Sequence, residues 1–499
     1  MDLISIDRHK TAIRRNKLSR PVSLLLESNL LNNSTSFFDY GCGHGQDLEI
    51  LEKNGFQNLS GFDPHYRSDD PIQSAEVVNL GYVLNVIENP KERGETLLKA
   101  FNLANKVLCV SVMTNGQQGY EGEGFSDGVL SSRKTFQKYF DQSEIKNYIE
   151  SITNKDAISV QPGIFYVFKD EMSRLEYISS RYRSPAYLEV TRLDPITREP
   201  RKVRVFRPKI QELIKESPYF EKAIEFVYAH GRLPRPEEES ALTELITEFK
   251  SKKKISNVLL EAIDQEQFEQ IRKFKKESLL VFMALRRFDR AGFPKASDIP
   301  PSMVHDIKEF FSSYLDCRKQ AEATLFMIAD EKAMTLAFKN STTGKQLPDA
   351  IYIHPSYVTS LHPLVQIKVA IAQKLVGDID ECNLIKINKF KSKVSFLVYE
   401  DFDQFEHPAL LFSWVMDIPK NDLKYWEFRT RENPPVLHRK DTFVGPSYPM
   451  YDQFRTLTVQ EENAGLLEET NDIGTRNGWN KRLTEKSVRI ENHQVIAHI

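Results

Sequence analysis

The segment from Phe37 to Asp47, FFDYGCGHGQD, constrains the fold of this 499-residue chain more than any other stretch. An apolar run ends in Asp39 and is followed at once by glycines at 41, 43 and 45. Gln46 to Asn54 then carries helical spacing through Leu48, Ile50 and Leu51 until Gly55 stops it. A strand that turns through three alternating glycines into a helix presents bare backbone N–H groups, with no Cβ to hold a ligand away. Further apolar runs follow in NLSGFDP, AEVVNLGYVL and NKVLCVSVM, with helical spacing from Glu92 to Ala104 before the last, and GIFYVFKDE at 163 to 171 reads as a closing strand. Strands separated by helical stretches predict βαβ units and a parallel sheet covered on both faces, an α/β, Rossmann-like domain.

The rest of the chain has a different texture. From about Arg174 the sequence is rich in Arg and Pro, and from Ile210 to about Lys339 helical periodicity dominates, broken at HGRLPRP and AGFPKASDIPP. Beyond 340, DAIYIH, NLIKIN and KVSFLVYEDF are β-rich, and KFKSK between the last two is placed to close a hairpin. The expected organisation is an α/β domain over 1–170, a basic linker and helical domain over 171–339, and an α+β region over 340–499. A hydrophobic fraction of 40% and a charged fraction of 28% suit packed domains, not a disordered polymer. The formal net charge of −2 excludes a globally basic nucleic-acid coat, so any polyanion site has to be a local patch.

Cys42, Cys109, Cys317 and Cys382 are widely spaced and form no zinc pattern, so reduced thiols and no metal site are expected. The opening MDLISIDRHK has no apolar core and the strongest apolar runs are too short to span a bilayer, which makes the cytoplasm the expected compartment and excludes a membrane partner from the expectations.

The glycine turn has a companion. Asp63 ends the second apolar run, eighteen residues past Gly45, where a carboxylate can accept hydrogen bonds from two ribose hydroxyls. A dinucleotide fingerprint requires G-x-G-x-x-G, whereas here the third glycine comes one residue early. The acid-x-G-x-G-x-G form resembles motif I of class I S-adenosylmethionine (SAM)-dependent methyltransferases. That resemblance implies SAM as cofactor, with Asp39, Gly41, Cys42, Gly43 and Gly45 forming the cradle and Asp63 holding the ribose. Only about fourteen residues separate Asp63 from Val77, so the usual second helix and the strand whose acid contacts adenine are compressed into PHYRSDDPIQSAE, with Asp69 or Asp70 as candidate substitutes.

Enzymes that methylate exocyclic amines of DNA bases carry an Asn, Asp or Ser before Pro-Pro-aromatic after the third strand. This chain has Asn79 there but no such tetrapeptide, and the one NPP, at Asn433 to Pro435, is followed by Val436. Taken in order, RHKTAIRR, LSRP, DYGCGHGQD, GFDP, VVNLGYVLNVIENPKERGETL, TFQKYF, HGRLP and NPPVLHRKDTF resemble the DNA phosphorothioation-associated methyltransferase family along nearly the whole chain. The resemblance implies a bacterial modification or defence protein that works on DNA, phosphorothioated or not, or on another nucleic acid, beside other phosphorothioation proteins. It leaves the methyl acceptor open, including a small molecule, and it leaves open a non-catalytic DNA-binding or regulatory subunit that retains a SAM-binding fold.

Methyl transfer needs alignment and, for a neutral acceptor, a group that takes a proton. His65, Tyr82, Asn85 and Glu88 are the polar residues nearest the expected methyl position. For contacts to nucleic acid, the candidates are Arg8, Lys10, Arg14 and Arg15 near the N-terminus, Arg133, Lys134 and Lys138 in a glycine-rich loop after the fourth strand, and Arg201, Lys202 and Arg204. The last three lie within 174–209, where ten Lys or Arg face four acids, interleaved with tyrosines. The glycine-rich loop, from Thr114 to Phe140, sits at the sheet edge where a lid or substrate loop belongs.

Overall fold

In the computed structural model, residues 6–115, 122–182, 214–341, 343–468 and 470–497 are described. Residues 1–174 together with 335–499 make one compact unit, and 175–334 make a second.

The first unit contains a six-stranded mixed sheet. Its strands are β1 (Phe37–Tyr40), β2 (Leu59–Phe62), β3 (Ala75–Gly81), β4 (Ala104–Ser111), β8 (Ala157–Gln161) and β9 (Ile164–Phe168), in the order β2-β1-β3-β4-β9-β8. The short strands β5 (Glu123–Phe125), β6 (Gly128–Leu130) and β7 (Phe136–Gln137) form a separate three-stranded sheet inside the glycine-rich loop. β1 pairs in parallel with β2 and β3, and β3 with β4. The expectation of an all-parallel sheet is corrected at one end, where β9 runs antiparallel to both β4 and β8. β9 is therefore not the closing strand. AISVQ at the edge is a separate strand that forms a tight hairpin with it through Gly163, which takes φ +78°.

Helices α1 (Arg20–Glu27), α2 (Gln46–Lys53), α3 (Pro90–Leu103) and α4 (Gln142–Thr153) supply the layers. Alternation in the strands sends Phe38, Val78, Leu80, Leu108, Val110, Phe165 and Val167 into one core with Leu97, Ala100 and Phe101 of α3 and Ile145 and Ile149 of α4. α1 packs on β3 and β4. Asn89 caps α3 by accepting from the backbone of Lys91 and Glu92, with Pro90 at the first helical position.

The C-terminal part of the same unit holds a six-stranded antiparallel meander, β10 (Lys345–Gln346), β11 (Ala350–Ile353), β12 (Leu384–Asn388), β13 (Lys393–Tyr399), β14 (Leu410–Asp417) and β15 (Asp422–Glu427). β12 and β13 form the hairpin expected around KFKSK. Helix α5 (Pro363–Val376) leads from this region to the edge of the first sheet. There Asp378 N donates to Val160 O at 2.6 Å, Ser159 Oγ to Leu375 O at 3.1 Å and Gln142 Nε2 to Val376 O at 3.1 Å.

The second unit is helical among its described residues, with a core of Ile214, Phe220, Ala223, Leu242, Leu245, Ile255, Val258 and Leu259. Its buried Arg232 is neutralised by Glu238 and Asp306, each at 2.7 Å. HGRLP is a helix end, with Gly231 in the left-handed region after Phe220–His230. Among the described residues no helix is long and apolar enough to cross a membrane.

Candidate functional site

The backbone after β1 does what the glycines predict. Gly41, Gly43 and Gly45 take φ +84°, +56° and +80°, values that a side chain strongly disfavours. Close packing adds to the requirement. A Cβ on Gly41 would lie 2.4 Å from Val83 Cγ2, and one on Gly45 3.0 Å from Arg67 Nη1. Gly45 is the N-cap of α2, so the bend delivers the chain directly into that helix.

This bend, the ends of β1, β2 and β3, and the segment from Ile6 to Arg15 enclose a cavity of about 550 Å3. Asp39, Gly41, Cys42, Gly43 and Asp63 line it together, whereas Gly45 is not in its wall. Asp63 serves the protein first. Its Oδ2 accepts from Gly43 N at 3.1 Å, and its Oδ1 accepts from His65 N and Tyr66 N, each at 2.9 Å. One carboxylate thus ties the glycine bend to the loop after β2. It keeps lone pairs for a ligand hydroxyl, since a carboxylate offers about four acceptor sites.

Asp39 lies beside Asn79 across the β1–β3 pairing, and Asn79 Nδ2 donates to Asp39 Oδ1 at 2.8 Å. Burial, reinforced by the nearby Asp47 carboxylate, pushes the Asp39 carboxyl up to about 7. Burial also pushes the Cys42 thiol up to about 12, which keeps it a neutral thiol, and raises the Tyr82 phenol. Asn79 Oδ1 and Ser19 Oγ are buried and find no hydrogen-bond partner, and both residues line the cavity. Buried polar atoms are nearly always satisfied, so these two have capacity for a polar partner in the cavity.

The four residues considered for chemistry separate. His65 and Tyr82 line the cavity, Tyr82 in the left-handed region at φ +59° with its backbone N–H bonded to Ser111 O. Asn85 is not in its wall. The side chain is buried with Oδ1 unpartnered, and its backbone carbonyl accepts from Lys138 N at 2.7 Å. Glu88 is held by Arg8, whose guanidinium forks onto Glu88 at 2.8 Å through both Nε and Nη2 and onto Glu92 at 2.5 and 2.7 Å. That pair draws the Glu88 carboxyl below its usual range.

The same ion pairs redraw the basic candidates. Arg8 is spent on Glu88 and Glu92, Lys10 on Asp7 at 2.7 Å, and the buried Lys138 on Glu144 at 2.9 Å and Asp127 at 3.2 Å. Each of these three candidate cations therefore has an acidic partner within the fold, Lys10 through an exposed pair three residues apart. Arg14, Arg15, Arg133 and Lys134 are exposed. Arg15 also lines the cavity and lies over the Tyr82 ring at 6.0 Å. Arg201, Lys202 and Arg204 lie outside the described residues.

Sequence reasoning passed over Ser19, His44, Asp47 and Tyr66, all in the cavity wall, and His9, which it noted only as part of a basic stretch. Asp47 lies inside the glycine motif, and its Oδ1 accepts from Ser19 N at 2.7 Å. His9, His44 and Tyr66 carried no spacing signal, since only folding brings residues near 9, 44 and 66 together. Asp69 and Asp70 are not in the wall, and neither is the NPP at 433–435, where Asn433 Oδ1 accepts from Asn477 N and Pro435 O from Leu410 N.

No protein-family model matches the sequence, and no curated protein matches it. Among solved structures the chain is similar to the 1,6-didemethyltoxoflavin-N1-methyltransferase of Burkholderia thailandensis, holding S-adenosylhomocysteine, at 15% identity over 30% of this chain and 77% of that one, TM-score 0.23. It is similar to the SAM-bound magnesium protoporphyrin IX methyltransferase of Synechocystis at 14% identity, over 30% and 76% of the two chains, TM-score 0.22. A SAM-dependent methyltransferase from Aquifex aeolicus matches at 15% identity, over 33% and 98%, TM-score 0.23.

Proposed function

We propose that the chain is a SAM-dependent methyltransferase whose cofactor lies in the cavity at the end of β1. The observation that carries this reading is the three-glycine bend, tied by Asp63 to the loop after β2 and open to a cavity of about 550 Å3. That volume is within the range of about 300–1,000 Å3 typical of small-ligand sites. The residues present fit the group. Gly41 and Gly43 give it backbone, Asp63 has acceptor capacity for ribose hydroxyls, Asp39 and Asp47 suit its positive charges, and Asn79 Oδ1 and Ser19 Oγ await polar partners. When bound, SAM supplies a methyl group on a sulfonium, open to in-line attack. Of the four residues considered for chemistry, His65 and Tyr82, the latter kept a neutral phenol by burial, are the two that line this cavity.

For the acceptor, we favour DNA, phosphorothioated or not, or another nucleic acid, working with other phosphorothioation proteins. The motif resemblance and the exposed Arg14, Arg15, Arg133 and Lys134 support it. A small-molecule acceptor is the second reading, favoured by the neutralisation of Arg8, Lys10 and Lys138 within the fold. The test is transfer of a tritiated methyl group from SAM to modified DNA, unmodified DNA, tRNA and a small-molecule extract. Label in a nucleic acid supports the first reading and label only in the small-molecule fraction the second. Binding of S-adenosylhomocysteine without transfer to any of them points to a regulatory subunit, and no binding overturns the cofactor assignment.

A further inference from the structure

Among the described residues the sheet has no strand beyond β2 on its open side, and residues 63–74 run through turns and irregular backbone where a further helix and strand would otherwise wall the cavity. The N-terminal segment occupies that side. The His9 ring stacks on His65 with centroids 4.1 Å apart and planes 21° apart, and Tyr66 Oη donates to His9 O at 3.0 Å. Tyr66 lies edge-on to His65 and 4.0 Å from the His44 ring. These four rings, His44 from the glycine bend, His65 and Tyr66 from the loop after β2 and His9 from the N-terminal segment, all line the cavity. Ala12 closes over the bend itself, its Cβ 3.3 Å from where a Cβ on Gly43 would be. The segment is fastened at two further points, by the Arg8 fork on Glu88 and Glu92 and by Asp7 N donating to Lys134 O at 2.9 Å.

We propose that residues 6–15 are an integral wall of the cofactor cavity, and that the aromatic cluster of His9, His44, His65 and Tyr66 seats the planar base of the ligand in place of the missing strand and helix. This rests on the SAM reading of the cavity. Planar π faces recognise a heteroaromatic ring without needing a particular acid, which is what the compressed loop leaves out. Because His9 is carried by a segment held in place by Arg8, ligand affinity depends on that fork as well as on the ring. Breaking the fork frees the wall, and the ligand then has to order it on binding.

Calorimetry with S-adenosylhomocysteine and with adenosine, on the full chain, tests the assignment. His9→Ala and Arg8→Ala are expected to weaken both ligands at least tenfold and by similar factors, since both carry the base. Arg8→Lys, which cannot grip two carboxylates in the same forked way, should restore only part. Tyr66→Phe keeps the ring but loses the bond to His9 O, and should weaken binding less than Tyr66→Ala. Wild-type binding that these variants change less than twofold overturns the wall assignment and leaves the cofactor reading intact. Failure of the wild-type chain to bind either ligand overturns both. Thermal melts identify variants that do not fold, and His9→Phe, which keeps a planar ring on the half-buried segment, should bind like the wild type.

Discussion

At the scale of single residues, Asp39 is the most informative side chain. Its carboxyl in the folded chain titrates near 7, above the ordinary 3.8, so the folded state holds a proton that the unfolded chain releases. The sign follows. Asp39 lowers stability as pH rises from about 4 towards 7, by at most about 1.4 kcal/mol per unit, and adds no further change above that window. Asp39→Asn should remove this slope and raise the melting temperature of the ligand-free protein at pH 8. A cationic ligand prefers the ionised carboxylate, so S-adenosylmethionine affinity should increase with pH between 6 and 7.5 in the wild type and not in Asp39→Asn, measured by calorimetry. Gly41 is the second informative position. Alanine there meets both φ +84° and Val83, and should cost roughly 2–4 kcal/mol in denaturant unfolding. Both residues stand in the motif that sequence reading picked out first, because a glycine turn after an acidic strand end is a local pattern. Asn79 and Ser19 were passed over in that role for the opposite reason: what marks them is an unsatisfied atom, which exists only once neighbours are in place.

At the scale of elements, β1 to β4, β9, α2 and α3 followed from apolar runs and stop signals, and the β12–β13 hairpin from its intervening KFKSK, whereas α1, α4 and the small sheet β5–β7 were not read from the sequence. AISVQ was missed because it is short and follows closely on α4, and its partner's direction is set by a two-residue turn at Gly163 and not by any property of the strand itself. The N-terminal segment was read as a source of free cations, yet Arg8 faces two acids 80 and 84 residues away in sequence. Arg8→Ala should make residues 6–15 cleaved faster in limited proteolysis while the core of the sheet keeps its protection, since the fork is among the fastenings of that segment. In the C-terminal part, NPPVLHRKDTF proves to be a packing motif. Lys440 Nζ donates to Phe402 O and Phe405 O at 2.8 and 2.6 Å, and Asp441 Oδ1 accepts from Thr458 Oγ1 at 2.7 Å. Beside it the buried Glu461 bonds His407 at 2.6 Å, with the carboxyl pushed up to about 7 and the imidazole pushed down to about 3. The imidazole kept neutral there loses stability as pH falls below its ordinary 6.5, because the unfolded histidine then takes up a proton. His407→Phe should therefore flatten the acid limb of the melting curve between pH 6.5 and 4, although Glu461 then lacks its partner and stability at neutral pH falls.

At the scale of the molecule, the C-terminal region is bound to the first sheet. Gly377, at φ +88°, ends α5 against β8 so closely that a Cβ would lie 2.6 Å from the backbone of Val160 and Gln161. Arg20 of α1 pairs with Asp380 at 2.5 Å, and Gln161 donates to the same carboxylate. Gly377→Ala should lower the melting temperature of the whole first unit in a single transition, and a chain cut after 174 should melt lower than the full chain, because it uncovers this edge. The sequence by itself determined the glycine bend, the order of the early strands and helices, and the pairing of Asp39 and Asp63 with that bend. Those features are written in residues close together, where backbone sterics and hydrophobic periodicity act within a few turns. The tertiary structure alone decided that the sheet is mixed and that Asp63 is committed to three backbone N–H groups. It alone decided that Arg8 binds its own protein and that His9 meets His65, because each depends on distant segments whose docking is set by summed packing and charge, with no local signature to announce it.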